Sequence, residues 1–198
     1  MTRNRMMILL FVAAVVLAGC AKPPQMEIDA AKAALDASRA SAAEYAASSL
    51  SAAEDALNQL NAELKAQEDK FALFRNYDKA KELSMAAKAA AEKAAADAEA
   101  AKEAVRAETV SLLESAKTSL TEVTEMIAKA PRGKGRAADL TVLKADVDAA
   151  AATFAEIEAA LAEGRYLDAQ AKARAANDTI ARVRSEIEQA MQLAGGRR

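Results

Sequence analysis

The stretch LSAAEDALNQLNAELKAQEDKFALF, residues 50–74, decides the fold of this 198-residue chain. Its apolar positions recur at alternating steps of three and four, the spacing that places side chains along one stripe of an α-helix. The stripe consists of Leu50, Ala53, Leu57, Leu60, Leu64, Gln67, Phe71 and Phe74, with Gln67 as its single polar member. Such a heptad seam predicts a helix that packs against other helices in a bundle or coiled coil.

The same seam pattern returns later in the chain. Three pairs of segments share it: 28–42 with 113–127 at an offset of 85, 50–71 with 140–161 at an offset of 90, and 77–101 with 166–190 at an offset of 89. The three pairs follow one order along the chain, which indicates an internal duplication of a three-helix unit.

The composition favours long helices. Alanine makes up more than a quarter of the chain, and residues 25–130 contain neither glycine nor proline. We therefore predict an all-α fold with helices over residues 26–43, 49–74, 77–130, 139–163 and 166–195. Ser49 and Asp139 are the predicted N-caps of the second and fourth helices, and the segment from Pro131 to Gly135 is a strong helix breaker.

These helices predict an elongated antiparallel bundle. We expect two three-helix repeats, residues 26–104 and 105–194, joined end to end through one long central helix in the plan of tandem spectrin repeats. The apolar positions of the central helix follow an 11-residue rhythm, which keeps them on one face of a nearly straight helix of roughly 80 Å. The alternative is a side-by-side bundle in which the first two helices merge into one.

The N-terminus carries a different pattern. Arg3 and Arg5 precede an apolar run from Met6 to Leu17, and the sequence Leu17-Ala18-Gly19-Cys20 closes it. The run is shorter than the about 20 residues that span a bilayer. Its last four residues resemble the lipobox of bacterial lipoproteins. The resemblance implies that a lipoprotein signal peptidase recognises Leu17, Ala18 and Gly19, removes residues 1–19, and leaves a lipidated Cys20.

A lipidated Cys20 implies a membrane-bound mature chain. Diacylglycerol and a further acyl chain such as palmitate supply stable anchoring, residues 20–25 form a short proline-containing linker, and residues 195–198 form a tail. Ala21 after the cysteine resembles enterobacterial sorting to the outer membrane, on its periplasmic face, with the inner membrane and the cell surface as alternatives. The competing interpretation of Cys20 is an ordinary buried cysteine behind an uncleaved N-terminal anchor.

The residue inventory argues against catalysis. The chain has no histidine and one cysteine, so Ser-His-Asp, Cys-His and Cys/His metal sites are excluded. Opposite charges at i,i+4, such as Lys88 and Glu92, are typical of a solvated helix face. A net charge of −2 gives no indication of nucleic acid binding. We predict no enzyme activity, no metal, and no cofactor beyond the lipid.

Four cations surround the predicted break after the central helix: Lys129, Arg132, Lys134 and Arg136. They either complement the dipole at the C-terminal end of that helix or contact anionic envelope material such as lipid phosphates.

Two further features of the seam have two interpretations each. Phe71, Phe74 and Tyr77 either close the core at one end of a bundle or line a ligand pocket. Gln67 either sets the helix register at some cost in stability or marks a partner contact.

Two segments carry a family resemblance. Ala43-Glu44-Tyr45-Ala46, followed by Arg75-Asn76-Tyr77-Asp78-Lys79-Ala80-Lys81, resembles the alanine-rich bacterial lipoproteins of the domain of unknown function 4398 group. The segment from Glu163 to Ala169 resembles the same element and also the turn of tetratricopeptide-like repeats. The resemblance implies an envelope lipoprotein and supplies no activity.

Two classes of function follow from these patterns. The first is a structural or adaptor protein that is anchored by its lipid and presents helical surface to an envelope protein. The second is a module that binds a lipid or small ligand between helices, and a tetratricopeptide-like interaction domain is a further alternative. The sequence leaves the oligomeric state and the partner open.

Overall fold

The structure, a computed structural model, describes residues 21–130 and 137–195. Over these ranges every regular element is helical. The elements are α1 (Gln25–Tyr45), α2 (Ala47–Glu68), a 3-10 turn (Ala72–Phe74), α3 (Asp78–Lys129), α4 (Ala137–Ala162) and α5 (Tyr166–Gly195). The predicted all-α helical bundle is confirmed.

The contacts divide the chain into two compact units, and the division falls between Ala101 and Lys102. Helix α3 is 52 residues long, so its first part belongs to unit 1 and its second part to unit 2. The expected boundary of the sequence duplication, between residues 104 and 105, stays a prediction because compactness does not test for duplication.

Unit 1 is a hairpin of α1 and α2 packed against α3. The backbone at Ala46 leaves the helical region (φ −143°, ψ 48°) and reverses the chain between the two helices. Ile28 at the start of α1 shares a core cluster with Leu60 near the end of α2. Leu35 and Leu50 meet the alanine seam of α3 in a second cluster. The alternative in which the first two helices merge is therefore wrong.

Two predicted N-caps are corrected. Helix α2 begins at Ala47 with Ala46 in the N-cap position and no side-chain cap. Ser49 lies in the first turn, and its hydroxyl donates to Asp97 on α3 at 2.5 Å. The hydroxyl therefore links two helices, which a sequence pattern for capping does not distinguish. Helix α4 begins at Ala137, so Asp139 lies inside it.

Unit 2 packs α4 and α5 against the second part of α3. Its core consists of larger side chains than that of unit 1: Leu143, Val147, Ile180, Val183 and Ile187 cluster with Ala116, Val123, Ala130 and Ala150. Gly164 ends α4 at a φ of +77°, with Arg165 N–H donating to the Ala160 carbonyl at 2.8 Å. This is a Schellman motif, whose left-handed position favours glycine.

The seam of α3 in unit 1 is almost entirely alanine. Ala87, Ala91, Ala94 and Ala98 are buried, so the neighbouring backbones lie close and each contact removes little apolar surface from water. At about 25 cal/mol per Å² of apolar surface, this seam contributes less stability per residue than the Leu, Ile and Val layers of unit 2.

Candidate functional site

Most of the predicted site residues lie outside the described ranges. These are Leu17, Ala18, Gly19, Cys20, Arg132, Lys134 and Arg136. Lys129 lies inside them, and its Nζ donates to Glu125 Oε2 at 3.1 Å, one helical turn away. The predicted cation cluster therefore stays a prediction.

Residues 21–24, which follow Cys20 in the sequence, lead into one end of unit 1, which we call the linker end. It comprises the first turn of α1 (25–28), the connection between α2 and α3 (69–77), and the first turn of α3 (78–81). Tyr77 and Ala80 share a core cluster with Ile28 and Leu60. These contacts place the connection 69–77 at the end of unit 1 where the N-terminal linker enters α1.

Gln67 organises this connection. It is 6 % exposed, and its Nε2 donates to Glu63 Oε1 at 2.6 Å. Its Oε1 accepts from Lys70 Nζ and from the Asn76 backbone N–H, both at 3.1 Å. A buried amide with both ends satisfied explains the polar position in the seam.

Arg75 holds the other side of the connection. Its guanidinium donates to the Glu68 carbonyl at 2.7 Å and to the Lys70 carbonyl at 3.0 Å. The Glu68 carbonyl is the last of α2 and has no partner within the helix, and the Lys70 carbonyl lies two residues beyond the helix end. Asn76 Oδ1 accepts from the Asp78 N–H at 2.7 Å and so starts α3. The connection is thus tied at both ends by side chains.

The two phenylalanines of the connection are exposed to solvent. Phe71 is 70 % exposed and Phe74 is 75 % exposed, while Tyr77 is buried. The two phenyl rings lie beside each other, with centroids 6.3 Å apart. The interpretation that these residues close the core is wrong for Phe71 and Phe74, because α2 ends at Glu68 and the chain leaves the seam before it reaches them. It is confirmed for Tyr77, which packs in the core with Ile28 and Leu60.

Two other apolar side chains are exposed at the linker end. Leu73 is half exposed between the two phenylalanines, and Met26 in the first turn of α1 is also exposed. We call these four residues, Met26, Phe71, Leu73 and Phe74, the apolar tip. Several exposed large apolar side chains at one end of a unit are the kind of surface that marks an interaction site.

The matching connection in unit 2 is built differently. Residues 163–165 suffice to join α4 to α5 through the Schellman motif at Gly164. Leu161, the counterpart of Phe71 in the predicted duplication, packs on the core of unit 2 beside Leu113 and Ile157. The tight turn between α4 and α5 therefore keeps Leu161 against the core of unit 2, whereas the connection 69–77 exposes Phe71 and Phe74 to solvent.

Two grooves on the described surface are open to solvent. One, of about 390 Å³, lies between α4 and α5, with a floor of alanines such as Ala150 and Ala176 and with Asp146, Lys172 and Arg182 in its lining. The other, of about 590 Å³, lies along Gln67, Asn76 and Lys79 and is mostly polar. Neither groove is an enclosed apolar cavity of the kind that holds small ligands.

The electrostatics are those of paired surface charges. The amide of Gln67, followed by the ammonium of Lys79, holds the pKa of Glu63 below its ordinary value of 4.5. Lys93 and then Ser49 lower the pKa of Asp97. Exposed ion pairs of this kind contribute little to stability. Glu63 and Lys79 lie at the rim of the open polar groove beside Gln67.

The described residues offer neither a metal site nor a membrane-spanning helix. No group of three acidic, histidine or cysteine side chains in these ranges could hold a metal ion. Among the described helices, none has the length and apolarity needed to cross a membrane.

Comparison with known proteins adds no relative. No protein-family model, no curated protein and no solved structure matches the chain.

Proposed function

We propose that this chain is a bacterial envelope lipoprotein that is anchored by lipid on Cys20 and acts as a non-catalytic structural or adaptor protein. The observation that carries the proposal is the sequence Leu17-Ala18-Gly19-Cys20 after a basic start and a short apolar run. Cys20 stands five residues before the first helix of unit 1. In this proposal the mature protein lies on the periplasmic face of the outer membrane.

The helical units support an adaptor over a ligand-binding module. The alanine seam of unit 1 is closely packed, and the grooves found on the described surface are open. The outer faces of the helices carry alternating charges, such as Lys144 and Asp148 at 2.5 Å and Arg39 and Glu54 at 2.7 Å. Such faces suit a polar protein surface as partner better than an apolar ligand.

Replacement of Cys20 tests the proposal. In cells that make the Cys20→Ser variant, the signal peptide should stay attached and the precursor should remain in the inner membrane. The wild-type chain should be processed and recovered with the outer membrane. Normal processing and outer-membrane recovery of the variant would contradict the proposal.

Ala21→Asp provides a matched control. It keeps the acceptor cysteine and should leave processing intact, while the resemblance to enterobacterial sorting implies retention in the inner membrane. Cross-linking in intact cells should then identify an envelope protein as partner. Cross-links confined to cytoplasmic proteins would contradict the adaptor assignment.

A further inference from the structure

We infer that the apolar tip inserts into the interfacial region of the lipid bilayer beside the lipid on Cys20. It thereby gives unit 1 a second point of contact with the membrane. The inference rests on the proposed lipid anchor. It concerns Met26, Phe71, Leu73 and Phe74, which are among the exposed large apolar residues of the described chain.

The position of the tip selects a membrane as its occupant. Residues 21–24 join Cys20 to α1, and five residues of chain span at most about 18 Å. The first turn of α1 and the connection 69–77 lie at the same end of unit 1, as the cluster of Ile28, Leu60, Tyr77 and Ala80 shows. A lipid on Cys20 therefore brings the bilayer surface within reach of this end.

The backbone that carries the two rings is held by hydrogen bonds. Gln67 and Arg75 tie the connection to α2, and Phe74 N–H donates to the Phe71 carbonyl at 2.8 Å across the 3-10 turn. This backbone therefore has little conformational freedom to lose when the rings enter lipid. Aromatic side chains on such a protrusion are suited to the boundary between headgroups and acyl chains.

The charges around the tip predict how insertion depends on lipid type. The linker end carries three acidic side chains, Glu27, Asp69 and Asp78, and four basic ones, Lys70, Arg75, Lys79 and Lys81. Because its net charge is only +1, the attraction is mainly apolar, and we expect anionic phosphatidylglycerol to strengthen insertion into phosphatidylcholine by less than about ten-fold.

The absence of tryptophan from the chain allows a direct test. Phe71→Trp and Phe74→Trp each introduce a single indole into an exposed position, so neither disturbs the core. The full mature lipoprotein, purified from membranes and shown by intact mass to carry lipid on Cys20, is reconstituted into phosphatidylcholine vesicles with brominated acyl chains. Bromine near the interface should quench the introduced indole and shift its emission to the blue.

Ala43→Trp is the matched control. Ala43 is exposed near the end of α1, about 25 Å along the helix from the linker end at 1.5 Å per residue, and its indole should stay unquenched. In the Phe71→Trp chain, a further Phe74→Ser change should lower the ratio of molecules with the apolar tip in the bilayer to molecules with the tip in water. We expect a decrease of about ten-fold, because one phenyl ring no longer leaves water.

The outcomes distinguish failure of tip insertion from failure of the lipid anchor on Cys20. A lipidated chain whose introduced indole at position 71 or 74 stays unquenched overturns the inference alone. Equal quenching of the Ala43→Trp control would also overturn the inference. A blue shift without quenching would overturn it too, because it would mean that a protein surface covers the tip. An unmodified Cys20 in the intact mass overturns the proposed function and the inference with it.

Discussion

Replacing Ala94 with leucine tests the packing on which the adaptor assignment depends. Ala94 has no exposed surface and lies in the cluster that joins Leu35, Leu50 and Ala53 to the seam of α3. Leucine adds three carbon atoms at a position where the neighbouring backbones are already close. We expect Ala94→Leu to lower the free energy of unfolding of unit 1 by about 1–3 kcal/mol, the usual cost of overpacking.

Ala96→Leu is the matched control on the same helix. Ala96 is exposed two residues further on, and leucine has nearly the helix propensity of alanine, so we expect a change within about 0.5 kcal/mol. Urea unfolding of the mature chain, followed by far-UV circular dichroism, measures both variants. Because two compact units need not unfold together, hydrogen exchange at amides of α1 and α2 assigns the loss to unit 1.

The opposite result would refute the reasoning. If the seam enclosed unfilled space for a ligand, leucine would fill it, and Ala94→Leu would be neutral or stabilising. Either finding would favour the ligand-binding alternative over the adaptor.

Three more predictions follow from the two units and their connections. Amides at residues 91–98 should exchange with solvent faster than those at 116–127, because alanine contacts bury less apolar surface than leucine and valine contacts; equal protection along α3 would contradict this. Gly164→Ala should lower the free energy of unfolding of unit 2 by about 1–2 kcal/mol. The cost is backbone strain at a φ of +77° and not a clash, since no atom lies within 4 Å of the added carbon; an unchanged melting temperature would contradict this. Because the pKa of Glu63 is lower in the native state than its ordinary value of 4.5, the ionised carboxylate stabilises the fold fully above pH 4.5, and this stabilisation is lost as the pH falls through the native pKa. Glu63→Gln should therefore flatten the acid side of the plot of unfolding free energy against pH; a plot identical to that of the wild type would contradict this.

The regular helices follow from local pattern. Helices α1, α3, α4 and α5 begin and end close to the predicted positions. Proline or glycine lies next to the start of α1, the end of α3, the end of α4 and the end of α5, whereas the end of α1 and the start of α3 follow from the apolar periodicity alone. The seam residues Ile28, Ala31, Leu35, Ser38 and Ala42 are all buried, as their spacing predicts.

The errors lie where long-range contacts decide the structure. The local sequence does not indicate whether the Ser49 hydroxyl caps its own helix or donates a hydrogen bond to Asp97, which is 48 residues away. The heptad pattern continues through Phe71 and Phe74, but α2 ends at Glu68. At that end Gln67 bonds to the backbone of Asn76, and Arg75 bonds to the carbonyl of Glu68. The polar interruption at Gln67 was the one local sign that the seam stops there.

We propose that Cys20 carries a lipid and tethers unit 1 to a membrane. The most direct measurement is the intact mass of the mature protein extracted from bacterial membranes, together with fragmentation of its N-terminal peptide. We expect a chain that begins at Cys20 and carries diacylglyceryl and acyl groups on that residue. A chain that retains residues 1–19, or one that begins at Cys20 with a free thiol, would contradict it.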